Sequence, residues 1–60
     1  MFKVTNKTTN EAIFNGDEDE FIKFVKKLVI KNKDYDYSVL GIGDAIEYIE
    51  YFDEFELEYD

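Results

Sequence analysis

The chain has 60 residues, with seven lysines against fifteen Asp and Glu, and a formal net charge of −8. It contains no Cys and no His, which excludes disulfide staples, thiolate or imidazole metal ligands and the commonest general base. Its length allows one domain of marginal stability, yet 45% hydrophobic content with six Phe and five Tyr is enough to pack a core rather than leave the chain disordered.

The first strand signal is Phe2-Lys3-Val4-Thr5, which alternates and is rich in strand formers. Asn6 to Asn10 is a polar turn, and Glu11 to Asn15 reads as the returning strand of a β-hairpin. Gly16 to Glu20 then opens a helix. Asp17 is placed as N-cap, and Glu20 three residues on completes a capping-box pair. From Phe21, the residues Ile22, Phe24, Val25, Leu28 and Val29 share an arc of roughly 160°, with Lys23, Lys26 and Lys27 opposite. The helix is expected to run to Lys31.

Past Asn32-Lys33, the run Asp34-Tyr35-Asp36-Tyr37-Ser38-Val39 alternates again. The pattern predicts a third strand with Tyr35, Tyr37 and Val39 toward the core. Gly41-Ile42-Gly43 reads as a joint before a second helix whose buried stripe is Ile42, Ala45, Ile46, Ile49 and Phe52. Its outer face would carry Asp44, Glu47, Glu50, Tyr48 and Tyr51, both tyrosines exposed. The chain ends in Asp53-Glu54-Phe55-Glu56-Leu57-Glu58-Tyr59-Asp60. Strict period 2 makes this a half-buried strand, with Phe55, Leu57 and Tyr59 on one face and carboxylates on the other. The predicted order is β-β-α-β-α-β, an α+β domain of two layers: a short sheet of three to four strands with both helices on one face.

The charge is uneven. Residues 1–33 hold all seven lysines and five acids, net +2; residues 34–60 hold ten acids and no Lys or Arg, net −10. Such a field governs association and partner choice. It repels nucleic acid and anionic membrane and attracts basic surfaces, including those that normally hold nucleic acid. No apolar run is long enough to span a membrane and no signal-peptide pattern opens the chain, so a cytoplasmic protein is expected.

Chemistry is sparse. Asn32, Asp34, Asp36 and Ser38 are spaced like the start of a calcium loop, but the required Gly and Glu positions hold Tyr37 and Gly43, so a solvated strand edge is the expectation and no metal or cofactor is assigned. No His, Cys or phosphate loop supports catalysis, and no catalytic residue is assigned. The acidic face remains. Alternate carboxylates on a strand lie about 6.8 Å apart, about half the phosphate density of one DNA strand. Asp44, Glu47 and Glu50 would add a second row, and Tyr48 and Tyr51 would supply apolar contact. Solubility and edge protection explain about four or five of the acids comfortably, and explain less well why the lysines stop at Lys33.

The Phe2–Thr5 and Glu11–Asn15 hairpin, the lysine-bearing helix Phe21–Lys31 and the acidic segment Asp44–Asp60 together resemble, in length, composition and element order, short acidic inhibitor proteins encoded by phages of low-GC Gram-positive bacteria. The resemblance implies an inhibitor that occupies the nucleic-acid-binding surface of a host defence or replication protein; it assigns no residue. The expected partner-binding residues, from the charge pattern, are Asp44, Glu47, Tyr48, Glu50, Tyr51, Glu54, Glu56, Glu58 and Asp60. The expected partner is a basic nucleic-acid-binding protein, without direct nucleic-acid binding. The alternative is an assembly module that self-associates, as a homodimer for example, or binds a partner through an apolar face.

Overall fold

The computed structural model describes all residues 1–60. The order is β1 (Phe2–Asn6), β2 (Glu11–Gly16), α1 (Glu18–Lys31), α2 (Ile42–Glu50) and β3 (Phe55–Tyr59). The strands form one antiparallel sheet in the order β2-β1-β3. The amino-terminal strand is therefore central, and the acidic strand at the other end of the chain pairs against it. Both helices pack on one face of the sheet, α1 over β2 and α2 over β3, giving the two-layer α+β architecture.

The hairpin closes through Asn6, whose Oδ1 accepts from the Thr8 and Thr9 backbone N–H groups at 2.8 and 3.3 Å. Asn10 turns the chain with φ 60°, a left-handed conformation that Asn tolerates better than most residues. Helix α1 starts with the expected capping box: Glu20 N donates to Asp17 Oδ1 at 2.9 Å, and Asp17 N donates to Glu20 Oε1 at 3.1 Å. Gly16 is buried just before it, and a Cβ there would meet the Phe14 ring at 2.9 Å and Glu20 Oε1 at 3.1 Å. The glycine is therefore set by close approach.

The core joins Phe2 and Val4 of β1, Phe21, Val25 and Val29 of α1, and Ala45, Tyr48 and Ile49 of α2, with Val39 from the intervening segment. Phe2 stacks on Phe21 at 4.8 Å between ring centroids, and Tyr59 of β3 stacks on Phe2 at 5.4 Å. Burying such rings is the main stabilising term available to a chain without staples.

The expected third strand does not form. Helix α1 ends in a Schellman motif: Lys33 N donates to Ile30 O and Asp34 N to Val29 O, both at 3.0 Å, with Lys33 at φ 59°. This reversal sends residues 34–40 back across the helices, away from the sheet. Tyr37 N bonds to Asp34 O in a turn instead of a ladder. The order is accordingly β-β-α-α-β. Val39 is buried and Tyr37 half-buried as expected, but Tyr35 is 72% exposed, because only a strand would have carried it to the same face.

Candidate functional site

The alternation of β3 sorts its side chains as the sequence predicts. Phe55 and Leu57 pack against the core, so Glu56 and Glu58 turn to the outer face of the sheet, away from the helices, and Glu54 precedes the strand in the turn from α2. All three are exposed, as is Asp60. They do not stand alone there. Glu58 lies directly across from Lys3 on β1, Glu56 faces Thr5, and Lys7 donates its backbone N–H to Glu54 O at 2.7 Å. Lysines from the amino-terminal half thus border the acidic row along one side. Its other side is the free edge of the sheet.

Helix α2 lies on the opposite face of that same edge, so its carboxylates and those of β3 are separated by the thickness of the sheet. Glu47 and Glu50 are exposed. Asp44 is not free for a partner as expected: its Oδ2 accepts from Leu40 N at 2.9 Å, fixing the turn into α2, and its carbonyl accepts from Tyr37 Oη at 2.9 Å. Gly41 at the N-cap has no side chain to do this, and the Asp at the third helical position takes the role.

Tyr48 corrects the expectation more sharply. It is 3% exposed, whereas Tyr51 is 83% exposed. Four residues are about 400° of helix, so Tyr48 sits only about 40° beyond Phe52 on the flank of the buried stripe. The segment after α1 then covers it. Its hydroxyl donates to Asp34 Oδ2 at 2.6 Å and accepts from Asn32 Nδ2 at 3.3 Å. Its ring meets Tyr37 at 4.8 Å and Phe52 edge-on at 5.1 Å. Burial first, and the bond to Asp34 next, push the Tyr48 phenol above its ordinary value. Tyr37 is raised too, by burial and then by the charges of Glu47 and Asp44. Both remain neutral phenols at physiological pH.

Between this segment and α2 lies a cavity of about 420 Å³, lined by Lys33, Asp34, Tyr35, Asp36, Tyr37, Glu47, Tyr48 and Tyr51. The structure therefore keeps Glu47 and Tyr51 together and adds Tyr35, Tyr37 and Asp36, which the strand assignment had hidden as core and edge. The signal that could have found them is charge: Asp34 and Asp36 belong to the same lysine-free half as the strand acids. No group of three or more carboxylates converges as metal ligands would, and no helix is long and apolar enough to cross a membrane. No protein-family model, curated protein or solved structure matches the chain.

Proposed function

We propose that this is a small, non-enzymatic, acidic inhibitor that binds a basic protein surface of the kind that normally holds nucleic acid, in the cytoplasm of a bacterial cell. One observation carries the reading: the α2 and β3 flank, residues 42–60, holds eight carboxylates and no cation. Glu47, Glu50, Tyr51, Glu54, Glu56, Glu58 and Asp60 form its binding surface, wrapped around the free β3 edge rather than spread over one plane. Asp44 and Tyr48 support that surface from within. A target would therefore grip an edge, meeting strand carboxylates on one side and helix carboxylates on the other.

Such binding is fast and salt-sensitive. The test is capture from bacterial lysate on the immobilised protein at low and high salt, with mass spectrometry and then competition by duplex DNA. Nucleic-acid-binding proteins should be retained at low salt and displaced by DNA. Capture that ignores both salt and DNA would refute the reading.

A second reading, assembly through an apolar face, has its own observation. Ile30 is 62% and Leu40 88% exposed, and both line one shallow groove with Val29 and Val39. It predicts self-association that persists at high salt in sedimentation and is abolished by Leu40→Glu.

A further inference from the structure

The cavity between α2 and the segment after α1 brings exposed tyrosines and carboxylates together. Tyr35 and Tyr51 are 72% and 83% exposed while lining the same space, so their rings stay open to solvent instead of completing the core. Asp36 and Glu47, both exposed, share the lining. Asp34 is already committed to Tyr48. With Lys33 as the one cation, the lining has three carboxylates and a net charge of −2. Its volume is within the range of small-ligand sites. Aromatic faces beside carboxylates suit an organic cation, and a planar one uses both at once. A guanidinium stacks on rings and forks onto carboxylates, whereas an ammonium is a more strongly hydrated point charge.

We propose that this cavity is a seat for a guanidinium: an arginine side chain of a basic partner protein lies against Tyr35 and Tyr51 and is met by the carboxylates of Asp36 and Glu47. The owner of that arginine rests on the function proposed above; the seat itself does not. The segment that carries Tyr35 and Asp36 is fastened to α2. Tyr48 ties Asp34 to α2, Tyr37 ties the segment to the start of α2 through the Asp44 carbonyl, and Val39 anchors its end in the core. An incoming side chain therefore meets a fastened backbone and has only the exposed side chains of Tyr35, Asp36, Glu47 and Tyr51 left to order. Lys33 lines the same space as a cation, and its removal, by making the lining more negative, should favour an external one.

The test is an NMR titration of the full chain with Nα-acetyl-arginine N-methylamide, beside the matching citrulline and lysine compounds. The arginine compound should shift the Tyr35 and Tyr51 ring signals and the amides of residues 33–37 and 47–51. The citrulline compound, which keeps shape and loses charge, should not, and the lysine compound should bind more weakly. Tyr51→Ala and Asp36→Asn, both at exposed positions, should each weaken binding about two- to five-fold, and Lys33→Asn should strengthen it. Equal binding of citrulline or lysine, or no shift at all, overturns the proposal. Shifts centred on Glu54–Asp60 and unchanged by Tyr51→Ala overturn the seat while leaving the acidic-edge reading intact. A selective seat in a protein that captures no basic target would sink the acidic-edge reading instead.

Discussion

Tyr48→Phe separates the buried, loop-fastening role of Tyr48 from a role as exposed partner anchor. The substitution keeps the ring against Tyr37 and Phe52 and deletes only the hydroxyl, which donates to Asp34 Oδ2 at 2.6 Å and accepts from Asn32 Nδ2 at 3.3 Å. A hydrogen bond to a charged group contributes about 1.5–3 kcal/mol. Asp34 is exposed, so its carboxylate regains water when the bond is lost, and the lower end, about 1.5 kcal/mol, applies. A domain of this size has about 3–9 kcal/mol in total, and the loss should lower Tm by about 6–12 °C. Urea or thermal unfolding followed by near-ultraviolet circular dichroism measures it.

The pH dependence gives a second readout. Because the folded-state pKa of Tyr48 is raised, the folded chain keeps a proton that the unfolded chain loses near pH 10. The stability this contributes is present in full below about pH 10 and is lost as pH climbs through the folded-state value. Tyr48→Phe should therefore flatten the alkaline limb, leaving the share that Tyr37, also raised, carries. A variant within about 0.3 kcal/mol of the parent at pH 7, well below the cost of such a bond, and with an unchanged alkaline limb would refute this account of how residues 32–40 are held.

The remaining predictions concern the backbone and the charged sheet face. Gly16→Ala should destabilise by about 1–3 kcal/mol, because its methyl meets Phe14 and the capping Glu20, whereas Gly43→Ala, where a Cβ meets nothing within 4 Å, should stabilise α2 by about 0.5–1 kcal/mol; urea midpoints compare the two. Lys33→Gly should stabilise by about 1 kcal/mol, since Lys33 holds the left-handed position of the Schellman motif, read as a rise in Tm. Glu58→Lys should cost about 0.2–1 kcal/mol because it faces Lys3, while Glu56→Lys, facing Thr5, should cost less; equal effects in chemical denaturation would show that cross-strand charge does not matter here.

Elements with a strong local signal were legible in the sequence. The capping box of α1, its apolar arc and the period-2 strand Phe55–Tyr59 all form where the pattern put them. The alternating run Asp34–Val39 misled because alternation states only which side chains would share a face if the backbone were extended. It cannot say whether a sheet edge is within reach. The Schellman turn at Lys33, with no glycine to announce it, decides that question, and the segment is spent on covering α2. Tyr48 was misplaced for the same cause. A helical projection assigns faces against a single core, and a loop that closes over the flank of the stripe widens the buried arc.

The same displacement changes what the acidic half of the chain can do. Several of its carboxylates are used within the fold: Asp34 holds Tyr48, Asp44 fixes the entry to α2, and Glu58 sits opposite Lys3. Placing β1 in the centre of the sheet achieves the last of these, because only the central strand can put an amino-terminal lysine beside the carboxy-terminal strand. Asp36, Glu47, Glu50, Asp53, Glu54, Glu56 and Asp60 remain, all exposed and without a comparable side-chain role in the structure. Mutual repulsion among them opposes folding in a chain that has little stability to spare. The whole chain's net charge of −8 lies at the upper end of what keeps a small domain soluble, about 2–8 in magnitude. On the function proposed above, a cationic surface would relieve that repulsion as it binds, and Glu47 and Asp36, which share the tyrosine-lined cavity, would be among the carboxylates that meet it.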